Sequence, residues 1–468
     1  MGLAENVLDA IFAATVALPI NIFVSDVAEQ VNYQFIDEVF HYRQLKHYLR
    51  GDWHTWDPKI TTPPGLYWLT WLYAKITGVE WTLANMRWFN FIGGCFLALC
   101  CVWIRSNSTN PGFNTASIFL NPLLALYYSL YYTDVWSTAI VVFAYAIVVA
   151  KPFGDLKFTA GLAAAVGAFS VTFRQTNIVW CAFLLVAIID QKAKDNKKYQ
   201  YEKYLFDFRA FFETLFENLS TIIPFILTAA TFFIFVFENG GITLGDKSNH
   251  EVVPHVAQLC YCMTFLAVFT LPLWISLDVF KEYITSNFGN LNMLLFNSFW
   301  IPVLAFIVQN FTVIHPFLLA DNRHYTFYIV RQFIIFDEYS KFKLIPVYHF
   351  SFYVISRLFL KSNNINNPTA SSLVMYVGWI MCTAVTIIPS PLFEPRYYIL
   401  PYVMLRLLIQ PDTTSFLNIS LLGGSNNKKF RFVFECIWQW MWTQALYLVF
   451  LQFTFQWENL PEPQRIIW

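Results

Sequence analysis

Charged side chains crowd among aromatic residues between positions 33 and 67. They include Asp37, Glu38, His41, Arg43, Asp52, Asp57 and Lys59. Asp37 and His41 are four residues apart, so a helix would place them on one face, while Glu38 would point about 100° away. A carboxylate at a partly dry interface beside a membrane has a raised pKa and can act as a general base. The alternative is a solvated external loop in which Asp37 begins a helix.

Two other polar positions interrupt apolar segments. Asp134 follows a Tyr131-Tyr132-Thr133 run at a predicted hairpin tip, where it could cap a helix or supply a second carboxylate on the side of Asp37. Arg174 and Gln175 lie between two apolar segments. An arginine near the membrane needs a partner, which could be a structural carboxylate or an anionic headgroup.

A glycine-containing loop spans residues 238–255. Its Gly245-Asp246-Lys247-Ser248 run lacks the spacing of a phosphate-binding P-loop. The loop is either an ordinary turn or a place where Lys247 and His250 face an anion.

Two later clusters also carry cationic and acidic side chains. His315, Asp321, Arg323 and His324 fall within ten residues, but their spacing fits no standard metal site. Glu394 and Arg396 open another apolar segment, where Arg396 could extend to the membrane surface or hold a phosphate. The eight cysteines all lie in or beside apolar runs and are interpreted as small hydrophobic residues.

The composition places these clusters in a membrane protein. Of 468 residues, 57% are hydrophobic and only 13% are charged, about half the usual ~25% of soluble domains. So few charges cannot cover a compact surface with solvated side chains. A secreted disulfide scaffold and a disordered chain are excluded. The formal net charge of zero also excludes a nucleic-acid binder.

Apolar runs of nearly 20 residues predict an all-α protein with many spans. The predicted spans are 7–24, 86–104, 113–131, 135–150, 156–173, 176–190, 219–237, 256–280, 293–313, 344–360, 371–391, 396–410 and 432–454. No small-residue cleavage site follows 7–24, which is therefore an uncleaved first span. Segments 64–78 and 325–337 are shorter, so their crossing is uncertain.

Lysine and arginine distribution gives an orientation. The basic loop 191–217 is placed in the cytosol, so 25–85 and 238–255 are external and 64–78 lies at the interface. Two alternatives remain for the second half. Arg331, Lys341 and Lys343 favour a cytosolic 326–343; if 325–337 is instead re-entrant, Glu394 and Arg396 are external and 411–431 is a cytosolic loop.

Polar clusters thus gather on one membrane face, which favours an interfacial enzyme. A secondary transporter would place charges or broken helices at the midplane of two related halves, and no related halves are visible. A channel would need a polar-lined pathway, and none is evident.

The clusters together resemble the Alg10/Die2 family of endoplasmic-reticulum alpha-1,2-glucosyltransferases. The matching segments are Asp37-Glu38-Val39-Phe40-His41, Trp56-Asp57-Pro58-Lys59-Ile60-Thr61-Thr62-Pro63-Pro64-Gly65-Leu66-Tyr67, Tyr131-Tyr132-Thr133-Asp134, Arg174-Gln175-Thr176-Asn177, Gly245-Asp246-Lys247-Ser248-Asn249-His250, Ala320-Asp321-Asn322-Arg323-His324-Tyr325 and Arg396-Tyr397-Tyr398-Ile399-Leu400-Pro401. They cover nearly the whole chain in order. One departure is the double proline in Thr62-Pro63-Pro64-Gly65, where many relatives are expected to have one.

The resemblance implies a GT-C fold over 1–468 with about 13 to 14 transmembrane helices and a lumenal first loop that contains interfacial helices. The donor would be dolichyl-phosphate-glucose and the acceptor the diglucosylated dolichyl-pyrophosphate oligosaccharide. The enzyme would add the last glucose in alpha-1,2 linkage, with inversion, in the endoplasmic-reticulum lumen. Membrane lipid is a further partner, nucleic acid is not, no cofactor is expected, and metal dependence is open.

The resemblance also implies roles for individual side chains. Asp37 is the expected base, with Glu38 second. The expected donor-phosphate ligands are Arg396, Arg323, Lys247, His324 and Arg174. The expected sugar-binding residues are His41, Trp53, Trp56, Asp57, Thr61, Thr62, Tyr67, Asp134, Gln175, Asp246, His250, His315, Asp321 and Glu394. Another polyprenyl-phosphate-sugar transferase and a non-catalytic, channel-regulating membrane protein remain alternatives.

Overall fold

The computed structural model describes residues 3–106, 111–199, 204–362, 371–410 and 425–467. The first half forms α1 (Leu3–Gln30), α2 (Glu38–Leu49), α3 (Gly65–Thr77), α4 (Leu83–Ile104), α5 (Pro111–Phe119), α6 (Pro122–Tyr128), α7 (Asp134–Ala150), α8 (Leu156–Val171), α9 (Asn177–Asp195), α10 (Tyr204–Glu217) and α11 (Ile223–Asn239). The second half forms α12 (Ala257–Phe269), α13 (Leu271–Trp274), α14 (Leu277–Phe288), α15 (Leu291–Asn310), α16 (Pro316–Ala320), α17 (Tyr325–Ile329), α18 (Ile345–Ser362), α19 (Leu373–Ile387), α20 (Ile399–Leu408) and α21 (Ser425–Gln452). Two short antiparallel strands, β1 (Thr454–Phe455) and β2 (Gln464–Arg465), follow.

The all-α prediction is confirmed, and most predicted spans coincide with a helix. Two are broken. Within 113–131, Asn121 accepts hydrogen bonds from the Leu123 and Leu124 amides, and Pro122 begins α6, so α5 and α6 are separate helices. Within 256–280, a proline after Thr270 and a helix cap at Ser276 divide the chain into α12, α13 and α14.

Among the described residues, three helical segments are long and apolar enough to cross a membrane: Leu83–Ile104, Leu219–Asn239 and Leu291–Asn310. Four shorter apolar helices, α7, α8, α12 and α19, accompany them. This is the pattern of a polytopic membrane protein. The number of 13 to 14 spans stays a prediction.

The two uncertain segments form short helices. α3 has 13 residues, about 20 Å at 1.5 Å per residue, against a hydrocarbon core of roughly 30 Å. α17 and the π-helical turn Val330–Ile334 are shorter still. Both lengths favour helices that do not cross, as expected for 64–78 and for the re-entrant alternative of 325–337. Much of the predicted loop 411–431 lies outside the described residues.

Helix α7 forms the centre of the first half. It is buried nearly all round and packs against α4, α8 and α9. An apolar helix without a polar face is typical of a protein core or a membrane span. Its amino-terminal residue, Asp134, therefore has a fixed position at one end of the bundle.

Two glycines bring loops against this same end. A Cβ on Gly65, at the start of α3, would lie 2.4 Å from Thr172 Oγ1, between α8 and α9. A Cβ on Gly245 would lie 2.3 Å from the Pro58 carbonyl oxygen. Both approaches are open only to glycine. The loops 25–85, 172–176 and 238–255 are therefore packed on one another.

The opposite end is held by a buried ion pair between α20 and α21. Arg406 Nε and Glu435 Oε1 are 2.6 Å apart, and both side chains are fully buried. Arg105, at the end of α4, donates to the Arg406 carbonyl oxygen. These contacts join α20, α21 and the end of α4 at the side of the protein away from the polar loops.

Candidate active site

A cavity of about 1280 Å³ collects most of the predicted site residues. They come from segments that are far apart in the chain, as expected if the polar clusters share one face. The predicted residues that line it are Asp37, His41, Thr61, Thr62, Asp134, Arg174, Gln175, Asp246, His250, Asp321, Arg323, His324, Glu394 and Arg396. Tyr132, Asn177, Tyr397 and Gln464 were not predicted and also line it.

Asp37 sits at the N-terminal cap of α2 with its carboxylate in the cavity. Its Oδ2 lies 3.1 Å from Nη1 of Arg396, and its backbone amide donates to the Tyr132 hydroxyl at 3.0 Å. The preceding Ile36 has φ 50°, a strained conformation for a β-branched residue. This strained turn directs the Asp37 side chain into the cavity.

Charge around Asp37 keeps the carboxyl ionised. Burial raises its pKa, but the surrounding cationic groups, with Arg396 the strongest of them, together outweigh burial, so the pKa lies below its usual value. Arg396 also binds the Glu394 carboxylate through Nε. In the free protein, one guanidinium therefore holds two carboxylates at the cavity wall.

Glu38 does not face the cavity, which argues against it as the second candidate base. Its side chain is fully buried and pairs with Arg87 at 2.6 Å. Its two oxygens also accept from the amides of Phe35, at 3.0 Å, and Tyr131, at 2.8 Å. A carboxylate with its acceptor positions filled in this way is a structural element.

Arg87, on α4, was missed by the sequence reasoning. Its guanidinium donates to the carbonyl oxygens of Val31, at 2.5 Å, and Tyr33, at 2.9 Å, besides holding Glu38. It therefore clamps the segment that carries the strained turn before Asp37. An arginine inside a predicted apolar span was the available signal.

His41 lies one helical turn after Asp37, as predicted. Its Nδ1 is 2.6 Å from the Tyr67 hydroxyl. Burial lowers the pKa of His41 to about 4, despite the nearby Asp37 charge. The ring is therefore neutral at physiological pH and can accept or donate one hydrogen bond at the cavity wall.

A second arginine–aspartate pair also lines the cavity. Arg174 Nη2 is 3.1 Å from Asp134 Oδ1, so the structural-carboxylate alternative for Arg174 is supported. The guanidinium carbons of Arg174 and Arg396 lie 5.6 and 5.8 Å from the Tyr397 ring centre. Among the described residues, the buried Asp134 carboxylate accepts no hydrogen bond, and its contact with Arg174 is an ion pair.

Arg323 is already occupied. Its guanidinium binds Asp321 at 2.7 to 3.1 Å and donates to Gln464 Oε1 at 3.0 Å. Its guanidinium carbon lies 4.4 Å from the Trp457 ring centre. His324 also pairs with Asp321, at 3.4 Å. In the free protein Arg323 is thus paired with a carboxylate, as Arg396 is with Asp37 and Glu394.

The predicted polar loops hold one another in place. Gln175 Nε2 donates to the Thr61 carbonyl oxygen at 2.7 Å, and Lys59 Nζ lies 3.5 Å from Asp246 Oδ1. His250 Nδ1 is 3.0 Å from the Asp246 carbonyl oxygen. These contacts fix the rim of the cavity.

Besides Glu38, six further predicted residues do not line the cavity. They are Trp53, Trp56, Asp57, Tyr67, Lys247 and His315. Asp57 pairs with Arg43 at 3.3 Å, Lys247 donates to the Asn239 carbonyl oxygen, and His315 caps α16 through the Phe317 amide. Tyr67 does not reach the cavity itself but contacts His41, which does.

One wall of the cavity is apolar. Ile178 and Val179 at the start of α9, Phe232 of α11 and Val385 of α19 line it. Phe232 and its neighbours belong to a span-length apolar segment. The cavity therefore combines an acid, cations and an apolar wall, which suits a substrate with a charged or polar head and a lipid tail.

Within the part of the chain that the structure describes, no group of three or more His, Cys, Asp or Glu side chains could hold a metal ion. The expectation that no cofactor is needed stays a prediction.

Known proteins resemble this chain over nearly its whole length. Residues 31–407 match the DIE2/ALG10 family. A Debaryomyces hansenii protein is 38% identical over 94% of this chain and 95% of its own. Relatives from Kluyveromyces lactis and Homo sapiens are 37% and 31% identical, each over 93% of this chain and over 84% and 93% of their own. All three are named Dol-P-Glc:Glc(2)Man(9)GlcNAc(2)-PP-Dol alpha-1,2-glucosyltransferase.

The family match covers most of the chain and includes every segment that lines the cavity except the C-terminal hairpin. The resemblance that the sequence motifs indicated is confirmed: this chain belongs to the DIE2/ALG10 family.

Proposed function

We propose that this protein transfers glucose, in alpha-1,2 linkage, from dolichyl-phosphate-glucose to the diglucosylated dolichyl-pyrophosphate oligosaccharide. The observation that carries the proposal is the Asp37–Arg396 pair, 3.1 Å apart, at the wall of a cavity with an apolar side. A base and a cation at one point are what transfer from a lipid phosphate to a sugar hydroxyl requires. The names of the relatives supply the identity of the two substrates.

The proposed setting is the endoplasmic-reticulum membrane, with the cavity facing the lumen and a GT-C fold. Lys192, Lys194, Lys197 and Lys198 follow the apolar part of α9, which favours the cytosol for that helix end. The cavity lies at the other end of α9, where Arg174 and Gln175 precede it. This polarity supports a cavity that faces the lumen.

The proposed chemistry is a single displacement with inversion. The acceptor 2-hydroxyl oxygen attacks C1 of the donor glucose, and the bond between C1 and the dolichyl-phosphate oxygen breaks. The hydroxyl proton passes to Asp37, and the phosphate leaves with the bonding electron pair. A positioned carboxylate base contributes about 10²- to 10⁴-fold.

Arg396 is the proposed cation for the leaving phosphate, and Arg174 the second. Charge that develops on a leaving group is stabilised most by preorganised donors in a site that excludes water. When Arg396 turns to the phosphate, it no longer offsets the burial of Asp37. The carboxylate then becomes more basic when both substrates are in place.

Another polyprenyl-phosphate-sugar transferase would use the same kind of site with a different donor or acceptor. A non-catalytic membrane protein would not need an ionised Asp37 in the cavity. The experiment must therefore identify the sugar, the acceptor and the dependence on Asp37.

The test is mass spectrometry of lipid-linked oligosaccharides from cells that lack this protein, with and without complementation. We expect the two-glucose species to accumulate without the protein, wild type to restore the three-glucose species, and Asp37→Asn to fail despite normal membrane abundance. A normal profile in the deletion strain would overturn the proposed function. Full complementation by Asp37→Asn would overturn the assignment of the base.

A further inference from the structure

The C-terminal hairpin forms a wall of the cavity that no sequence motif pointed to. β1 and β2 pair with Thr454 opposite Arg465, and residues 456–463 connect them. Trp457, Leu460, Glu462 and Gln464 from this hairpin line the cavity. The hairpin lies beyond the residues that match the family.

The hairpin is fixed to the helix bundle. Arg465 Nη1 donates to the carbonyl oxygens of Phe450, at 2.8 Å, and Leu451, at 2.7 Å, at the end of α21. The Ile467 amide donates to the Arg323 carbonyl oxygen at 2.6 Å, and Ile467 accepts from the Tyr325 amide at 2.8 Å. The wall is therefore preorganised.

Trp457 has a fixed orientation at the cavity wall. Its Nε1 donates to Asn322 Oδ1 at 3.0 Å, and the Arg323 guanidinium packs against its ring. The side chain nevertheless remains half exposed. A rigid aromatic ring with exposed area can pack against the apolar face of a sugar.

Glu462 supplies a polar group beside that ring. Its carboxylate has no hydrogen-bond or ion-pair partner among the described residues, and it lines the cavity. A free carboxylate accepts hydrogen bonds from hydroxyl groups but repels phosphate. Arg323, the cation nearby, is held by Asp321 and Gln464, so the wall favours a neutral polyol over an anion.

The two sides of the cavity therefore differ in chemistry. The wall formed by α9, α11 and α19 is apolar and suits the dolichyl chain, whereas the hairpin offers an aromatic ring and a carboxylate. We propose that the Trp457–Glu462 face of the C-terminal hairpin binds the glucose-terminated arm of the acceptor oligosaccharide. This inference rests on the proposed function and adds to it the place of the acceptor glycan.

The test compares Trp457→Ala, Trp457→Phe and Glu462→Gln with Glu458→Gln, an exposed neighbour that does not line the cavity. Each full-length variant is purified and assayed for transfer, with donor and acceptor varied separately. We expect Trp457→Ala and Glu462→Gln to raise the acceptor KM about tenfold, the effect of losing roughly 1.4 kcal/mol of binding. The donor KM should not change, Trp457→Phe should retain most of the affinity, and Glu458→Gln should resemble wild type.

Equal acceptor KM values in wild type, Trp457→Ala and Glu462→Gln would overturn the inference while leaving the proposed function intact. A parallel rise in donor and acceptor KM in both variants would also overturn it, because the hairpin would then act only on cavity shape. If wild type transfers no glucose, the proposed function fails. Calorimetric binding of the released, water-soluble diglucosylated oligosaccharide to wild type and Glu462→Gln would then still decide whether the hairpin binds the glycan.

Discussion

Asp37 and Glu38 are adjacent in the chain, yet they lie in different environments. Successive helical residues point about 100° apart, so one carboxylate enters the cavity and the other enters the protein interior beside Arg87. The spacing of Asp37 and His41 predicted their shared position. The partner of each carboxylate was not predictable, because Arg396 lies 359 residues from Asp37 in the sequence.

Replacement of Arg396 tests whether its charge controls the pKa of Asp37. In wild type, Arg396 holds the pKa of Asp37 below its usual value, so the base stays ionised down to acidic pH. Arg396→Gln removes the strongest of the charges that lower this pKa, while burial still raises it, so the acid limb of kcat/KM should move to higher pH. Loss of a cation for the leaving phosphate should also reduce kcat/KM for the donor about 10²- to 10³-fold.

The matched control for Arg396→Gln is Arg43→Gln. Arg43 also pairs with an aspartate, at 3.3 Å, but its side chain is 60% exposed and lies outside the cavity. Its pH profile and donor KM should remain those of wild type. An unchanged acid limb in Arg396→Gln would show that Asp37 is not the titrating base.

At the scale of elements, hydropathy located most helices because lipid-facing and buried residues are both apolar. It did not detect the breaks in 113–131 and 256–280, where a proline and a capping side chain divide continuous apolar runs. It also treated 86–104 as a plain span, although Arg87 lies in its first turn. Polar residues inside apolar runs, such as Asn121 and Arg87, were the sequence signals of these breaks and buried contacts.

Arg87 should be essential for the turn before α2. Arg87→Met leaves the Glu38 charge buried without its partner and frees the carbonyl oxygens of Val31 and Tyr33. We expect the free energy of unfolding to fall by about 3 to 5 kcal/mol, measured as a lower thermal midpoint in detergent. Adding Glu38→Gln should recover part of the loss, because it removes the buried charge.

The control is Arg43→Met, which removes an ion pair whose cation is 60% exposed, so the loss should be at most about 1 kcal/mol. A thermal midpoint for Arg87→Met equal to that of Arg43→Met would contradict the role of Arg87 as a clamp.

For the whole molecule, counting spans and charges placed the polar loops on one face. The structure brings those loops around one cavity. Sequence patterns could not show that the C-terminal hairpin completes the cavity, since its contacts with Arg323 and Tyr33 join distant parts of the chain. Long-range packing of this kind leaves no periodic signal in a single sequence.

Cysteine labelling can test the orientation of this face. The eight native cysteines are buried or half-buried, whereas Asn196 and Ser248 are exposed on loops at the two ends of the α10–α11 segment. In sealed microsomes, a membrane-impermeant maleimide should label Asn196→Cys directly and Ser248→Cys only after detergent is added. Direct labelling of both, or the reverse pattern, would contradict a lumenal cavity.

The central claim is that Asp37 in this cavity carries glucosyl transfer, and purified protein tests it most directly. Wild type and Asp37→Asn, matched for thermal midpoint, are incubated with dolichyl-phosphate-glucose and acceptors that carry zero, one or two glucoses, and the transfer rate is measured. We expect one glucose to be added only to the two-glucose acceptor, at a rate that Asp37→Asn lowers at least about 10²-fold. Transfer by folded Asp37→Asn at the wild-type rate, or no transfer by wild type, would contradict the account.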